Sequence, residues 1–314
     1  MKIAIFNPKD SFTTEQQKRL SFFGQVSYTK TREPLPLEKL LEMAKGADIV
    51  GCDPDPLGGF EKAKEKLTEI MRSLPNLKGL CLTTTSFGWV DLNFCREREL
   101  PVSNVPGYSR ESVAEQTIAF LLGASKRIFI SDRRTQSNKY VLTQGFELKG
   151  KTLGIIGLGN IGSRVAELAL GIGMKVIAYN RTPMKMKSIK MVSLDQLFKN
   201  SDAISLNTTH EPKNDNMIGK VELAKMKKGV IIVNTVDREL VDEKAMAQAL
   251  KLGQVDTYVY EAEDLVSGPL GKIENAIGFQ GFAWYTKEAL ENLYNIFIEN
   301  LVAMAKGKPQ NVVN

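Results

Sequence analysis

Histidine and cysteine are nearly absent from this chain. His210 is the only histidine, and the three cysteines, Cys52, Cys81 and Cys95, stand far apart. None of them has the spacing of a metal-binding cluster, so no metal site is expected. An odd, scattered set of cysteines reads as reduced thiols, which points to a cytoplasmic protein. No apolar run reaches the length of a membrane span. The apolar part of the opening Met1–Pro8 stretch is too short for a signal peptide. Charge of one sign is also scarce. The net charge of +6 comes from 42 basic and 36 acidic residues spread along 314. That balance calls for no nucleic-acid partner. There is no low-complexity tract and no repeat at solenoid spacing. Asn207-Thr208-Thr209 has the form of a glycosylation sequon, which reads as chance without a secretion signal.

What is present is an ordinary globular composition, at a length that allows two domains with sizeable cores. The stretch from Lys151 to Thr182 carries the strongest pattern. A short apolar run at Leu153–Ile156 reads as a buried strand, and Gly157, Gly159 and Gly162 follow as G-x-G-x-x-G. Val165, Leu168, Ala169 and Ile172 fall at helical spacing, and Met174–Tyr179 reads as a second strand. This βαβ unit is the pattern of a dinucleotide site. Gly157 makes the tight turn, Gly159 admits a pyrophosphate, and Gly162 lets helix and strand approach. The anion then sits on the helix N-terminus. The end of the second strand is Asn180-Arg181-Thr182, where NAD enzymes usually carry a carboxylate. No carboxylate there repels a 2′-phosphate, and Arg181 can pair with one. Lys185, Lys187 and Lys190 follow. NADP is the preferred cofactor and NAD the alternative, with Asn180 then binding the ribose.

Along the rest of the chain, strands and helices alternate, which predicts parallel α/β sheets. Strands are expected at Lys2–Phe6, Val26–Thr29, Asp48–Gly51 and Leu77–Leu82, with helices at Thr13–Phe23, Leu37–Lys45 and Phe60–Met71 between them. The loop from Thr83 to Gly88 follows the fourth strand and is a candidate substrate contact. A long helix after Glu111 buries Val113, Thr117, Phe120 and Leu121. Further strands are expected at Asp202–Leu206, Gly229–Asn234 and Asp256–Tyr260, with helices at Asp242–Leu252 and Thr286–Lys306.

Several collinear blocks resemble the D-isomer-specific 2-hydroxyacid dehydrogenase family over essentially the whole length. They are Asn104-Val-Pro-Gly-Tyr-Ser, Ser112-Val-Ala-Glu, Lys151–Gly162, Asp202–Leu206, Val233-Asn-Thr, Leu240-Val-Asp-Glu, and Trp284-Tyr-Thr with Glu288-Ala. The resemblance implies a Rossmann-type, doubly wound nucleotide domain at 103–283. It would be inserted in a flavodoxin-like α/β substrate domain made of 1–102 and 284–314, with the active site in a cleft. It also implies a small-molecule substrate and a homodimer, with the long helix near the interface. Cofactor contacts are implied at Gly157, Gly159, Asn160, Ile161, Gly162, Asn180, Arg181, Thr182, Thr208, Thr235 and Glu261. Substrate contacts are implied at Thr85, Ser86, Phe87 and Trp284, although Ser86 stands where the family has glycine.

The family's chemistry needs an arginine, a glutamate and a histidine. Here Asp237 takes the arginine's place in Asn234-Thr-Val-Asp-Arg-Glu-Leu-Val-Asp-Glu, and Arg238 is one residue late. Gly281 takes the histidine's place before Trp284. Glu263 and Asp264 match the glutamate only loosely. Glycine cannot transfer protons, and Asp237 repels a substrate carboxylate. Asp237, Glu261 and Tyr108 are the candidate catalytic residues. Two carboxylates suit a cationic or amine-bearing substrate, or one without a carboxylate. Alternatively Asp237 pairs with Arg238 or another basic neighbour and is structural, and Tyr108 is a packing residue. His210, in a loop that passes the cofactor in this family, reads as a surface residue. Three functions stay open: an oxidoreductase of altered substrate class, a non-catalytic nucleotide sensor or scaffold, and a glyoxylate- or hydroxypyruvate-type reductase with a relocated acid–base.

Overall fold

The computed structural model describes residues 1–182, 184, 186–262 and 268–314. They divide into two compact units, Met1–Tyr108 with Lys287–Asn314, and Ser109–Thr286. The division therefore falls a few residues later than the sequence boundaries. It puts Tyr108 in the first unit and Trp284 in the second.

The first unit opens with β1 (Lys2–Pro8), α1 (Thr14–Ser21), β2 (Gln25–Thr29), α2 (Leu37–Ala44) and β3 (Ile49–Cys52). It continues with α3 (Phe60–Arg72), β4 (Gly79–Leu82), α4 (Leu92–Glu97) and β5 (Val102–Ser103). Helix α1 starts at Thr13, whose Oγ1 accepts the Gln16 N–H while Gln16 Oε1 accepts the Thr13 N–H, a reciprocal cap. The strands form a parallel sheet in the order β2-β1-β3-β4-β5, the flavodoxin-like order. Their apolar runs are buried on both faces, as a parallel sheet requires. Ala4 and Phe6 enter one core with Leu67 and Ile70 of α3, and Ile3 and Ile5 enter the other.

The second unit begins with α5 (Arg110–Ser125) and α6 (Ile128–Gln136). Arg127 separates them at a positive φ of 60°, and its Nη2 donates to Asp256 Oδ1 at 2.7 Å. The sequence reading did not include α6. Its boundary is made by that long-range pair and not by a local breaker. Then come β6 (Thr152–Ile156), α7 (Asn160–Gly171), β7 (Lys175–Tyr179), β8 (Lys190–Met191), α8 (Leu194–Asn200) and β9 (Ala203–Leu206). The unit continues with α9 (Lys220–Lys225), β10 (Val230–Asn234), α10 (Glu243–Lys251), β11 (Val255–Glu261) and β12 (Ala276–Phe279). The chain returns to the first unit with α11 (Lys287–Ala305), where Phe297 and Leu301 cover Ile3 and Ile5. Ile172, expected on the buried face of α7, lies just past its end and is 36% exposed.

The second sheet is parallel, in the order β12-β11-β10-β9-β6-β7-β8. The order reverses between β6 and β9, the switch point where doubly wound sheets bind ligands beyond their strand ends. Register makes those ends line up. Ile156 pairs with Tyr179 and with Leu206, and Asn234 pairs with Leu206 and with Tyr260. The loops that start at 157, 180, 207, 235 and 262 therefore leave from one edge.

At the first of these turns Gly157 has φ of +94°. A Cβ on Gly162 would stand 2.0 Å from the Gly157 carbonyl oxygen. That neighbour is backbone and cannot yield cheaply. Gly162→Ala is expected to destabilise the second unit by about 1–3 kcal/mol. Urea denaturation of the variant against the parent checks this, and an unchanged midpoint would refute it.

Candidate functional site

Two clefts in the second unit open at the C-terminal edge of its sheet. The first, about 530 Å³, is lined by Gly157, Gly159, Asn180, Arg181, Thr182 and Thr208, among others. A Cβ on Gly159 would meet nothing within 4 Å, so the backbone there faces open space. Gly159 caps α7, a helix of 12 residues whose first amides have no partner within the helix. The cradle thus fits a dinucleotide pyrophosphate. Asn160 starts the helix, and its carbonyl accepts from Arg110 Nε at 3.1 Å. Ile161 packs on the apolar core.

Asn180 lines this cleft and also braces its edge. Its Oδ1 accepts the Leu158 N–H at 3.1 Å and its Nδ2 donates to the Thr182 carbonyl at 2.7 Å. With Gly157 N–H donating to the Tyr179 carbonyl at 2.9 Å, this ties the glycine turn to the end of β7. The strand end carries no carboxylate, as expected, but the cleft receives one from another loop. Glu211, from the loop after β9, lies 3.5 Å from Arg181 Nη1 and contacts Lys213 Nζ. No local sequence signal places Glu211 there, because two separate strand ends meet only in the folded sheet. Lys187 and Lys190 are exposed, and Lys185 lies outside the described residues.

The second cleft, about 480 Å³, lies between the β10 end from Thr235 to Glu239, the β11 end at Glu261 and Ala262, and Gly281 with Trp284. Thr235 belongs here, its Oγ1 3.4 Å from that of Thr117. Asn234, fully buried, shapes the approach. Its Oδ1 accepts the Val236 N–H at 3.0 Å and its Nδ2 donates to the Asp237 carbonyl at 3.0 Å and to the Tyr258 hydroxyl at 3.2 Å. Asp237 lines the cleft, and the basic neighbour it meets is one other than Arg238. Arg238 Nε and Nη2 instead reach Glu243 Oε1 at 2.7 Å. The partner of Asp237 is His210, with Nδ1 3.6 Å from Oδ2. The other ring nitrogen of His210 stands 2.6 Å from Asp215 Oδ1. The lone histidine is thus held between two carboxylates and is not a free surface residue. Asp215 first, and Asp237 and Glu239 after it, raise its pKa against the opposing effect of burial. Burial raises the Asp237 carboxyl and His210 pulls it back.

Glu261 is 7% exposed. Its carboxylate accepts the Ala283 N–H at 3.0 Å, and the Phe282 N–H, which donates to the Gln280 carbonyl at 2.8 Å, also favours its charged form. Ser112 anchors that segment by donating to the Ala283 carbonyl. Burial outweighs these bonds and pushes the Glu261 carboxyl up to about 7. Gly281 lines the cleft, and a Cβ there would meet nothing within 4 Å. Trp284 lines it too, 37% exposed and edge-on to Tyr285 at 5.1 Å, while Phe282 and Tyr285 are more than half exposed. Glu263 and Asp264 lie outside the described residues.

In the first unit the Thr85, Ser86 and Phe87 loop is exposed beyond β4. Trp89 Nε1 donates to the Ser86 carbonyl at 3.0 Å, and Asn104 Nδ2 donates to the Thr85 carbonyl at 2.8 Å. Tyr108 is half-buried against the core that contains Phe12 and Phe297. Among the described residues no cluster of three potential ligands could hold a metal, and no helix is long and apolar enough to cross a membrane.

Residues 118–278 match the NAD binding domain of D-isomer specific 2-hydroxyacid dehydrogenases. A glyoxylate reductase from Thermococcus litoralis is 34% identical over 315 residues, covering 95% of this chain and 92% of its own. A D-3-phosphoglycerate dehydrogenase from Archaeoglobus fulgidus is 35% identical over 257 residues. That match covers 78% of this chain, and the chain spans about half of that relative's length, 49%. Among solved structures, an acyclic imino acid reductase in complex with NADPH and D-Arg superposes with a TM-score of 0.84 at 27% identity, covering 100% of both chains. With the nucleotide-domain match and full-length relatives above 30% identity, the chain belongs to the D-isomer specific 2-hydroxyacid dehydrogenase family.

Proposed function

We propose that this protein is a nicotinamide-dinucleotide-dependent oxidoreductase of altered substrate class. Its substrate is a small carbonyl or imine compound that carries an amine or another cationic group. The charge of the second cleft carries this reading. Asp237, Glu239 and Glu261 line it, against Arg238, which is bonded to Glu243, and His210, which stands 3.6 Å from Asp237. A substrate carboxylate would meet repulsion there, and an ammonium or guanidinium group would be attracted. The solved imino acid reductase holds NADPH and D-Arg, whose guanidinium supports the cationic part of this reading and whose carboxylate does not.

The residues divide the work. The bound dinucleotide supplies or accepts a hydride at the substrate carbon. Asp237 holds the cationic group, with His210 at 3.6 Å opposing the upward effect of burial on its carboxyl. Glu261 is poised near neutrality and gives a proton to the oxygen or nitrogen that becomes electron-rich. Its bond from the Ala283 N–H orients the carboxyl for that transfer. Arg181 with Lys213 at the ribose end favours NADP(H). A second reading is reduction of a 2-keto acid with Glu261 as the relocated acid. The glyoxylate reductase relative favours it.

The first test is titration with NADPH and then NADH, with NADPH expected to bind more tightly. Turnover is then followed as loss of the reduced nicotinamide's absorbance, with an amino ketone and an imine compared against glyoxylate. Asp237→Asn is expected to lower kcat/KM for the cationic substrate about tenfold or more while leaving the nucleotide affinity unchanged. Faster turnover of glyoxylate than of either cationic substrate would decide for the second reading.

Glu261 makes a further prediction in which activity and stability part. Its folded carboxyl titrates at about 7 against an ordinary 4.5, so between those values the folded chain holds a proton that the unfolded chain has lost. Stability therefore falls as pH rises through that window. Glu261→Gln keeps an acceptor for the two amides and removes the charge. It is expected to melt above the parent at about pH 8, with the gap closing toward about pH 4, and to lose about 10²–10⁴-fold in kcat. Equal melting temperatures across that range would contradict the assignment of the pKa.

A further inference from the structure

The first cleft contains a charge arrangement that the glycine motif does not explain. Arg181 leaves the end of β7, and Lys213 comes from the loop after β9. Both reach one oxygen, Oε2 of Glu211. Arg181 Nη1 is 3.5 Å away and Lys213 Nζ is in direct contact. All three side chains line the cleft next to Asn180 and Thr182. The backbone beneath Glu211 is fixed as well. Its N–H donates to Asn214 Oδ1 at 2.7 Å, and Asn214 Nδ2 donates to the Thr209 carbonyl at 2.9 Å. The carboxylate is therefore a placed anion between two cations, beyond the strand end where a dinucleotide presents its adenosine ribose. Lys213, and Arg181 after it, hold the Glu211 carboxyl below the ordinary range, so it is ionised at neutral pH.

We propose that Glu211 sets the choice between NADP(H) and NAD(H) by occupying the place between Arg181 and Lys213 that a ribose 2′-phosphate would take. The proposal rests on reading this cleft as the dinucleotide site. A ribose with free hydroxyls donates to Glu211 and leaves both cations paired. A 2′-phosphate must displace the carboxylate, and it then gains two cations at once. Glu211 thus weakens NADP(H) and strengthens NAD(H), and Lys213 acts in the opposite sense. Discrimination sits on the loop after β9, while Asn180 at the end of β7 is engaged in closing the glycine turn.

The experiment is calorimetric titration of the parent, Glu211→Gln and Lys213→Gln with NADPH and with NADH. Glu211→Gln is expected to move the ratio of the two affinities toward NADPH by about tenfold, from opposite changes of a few-fold in each. Lys213→Gln is expected to weaken NADPH by about fivefold and leave NADH unchanged. Both side chains reach solvent, so the variants keep the fold, and their melting temperatures check that. The shift supports the proposal whichever cofactor the parent prefers. Parent preference for NADH would defeat only the NADP(H) reading above. A ratio unchanged in Glu211→Gln, with the parent still binding, overturns this proposal alone. Failure of the parent to bind either nucleotide overturns the proposal together with the assignment of the cleft.

Discussion

At Gly162 the first turn of α7 passes so close to the preceding loop that an added Cβ would lie 2.0 Å from the Gly157 carbonyl oxygen. Much of the second unit follows from that approach. It lets α7 pack directly on β6, with Val165, Ala166 and Ala169 filling the core against Ile155. It points the helix N-terminus at the strand edge, where the unpaired amides and the helix dipole favour an anion. Asn180 then spends its side chain on the same turn, holding Leu158 to the end of β7. A strand-end residue whose position suggests ligand contact thus also braces the scaffold. The carboxylate that faces the ribose end comes from elsewhere.

Much of the fold was legible because its signals are local. The glycine spacing, the apolar run before it and the helical spacing after it lie within one βαβ unit. Such a unit needs only neighbours in sequence to define it. Thr13 announces α1 by a cap that closes within three residues. The elements that escaped detection depend on distant partners. Helix α6 begins where Arg127, at a positive φ, is held by Asp256 of β11. Strand β8 is two residues long and exists through its pairing with β7.

The same distinction divides the candidate site. The replacement of the family's arginine and histidine by Asp237 and Gly281 could be read from the blocks alone. The partners of those residues could not. Arg238 is adjacent to Asp237 in sequence, yet consecutive residues leave a backbone in different directions, and Arg238 turns to Glu243. His210 precedes Asp237 by more than two strand lengths. It reaches Asp237 because β9 and β10 are neighbours whose ends are level, Leu206 beside Asn234. Glu211 meets Arg181 by the same logic across β6 and β7. Charge pairing at a sheet edge is a property of strand order, and strand order is not visible in composition or spacing.

The two carboxylates of the second cleft are not interchangeable, and their surroundings decide what each can do. Burial raises the pKa of both. For Asp237 the opposing group is His210, 3.6 Å away and itself made more basic by Asp215. For Glu261 the opposing groups are two backbone amides, and they leave the carboxyl at about 7. Burial biases both acids toward the proton, with His210 opposing it at Asp237 and backbone amides opposing it at Glu261. Different surroundings for two acids are how a site assigns binding to one and proton transfer to the other. Under the proposed function, a cleft that has exchanged arginine and histidine for aspartate and glycine keeps both tasks, with Asp237 binding a charge of the opposite sign and Glu261 moving the proton.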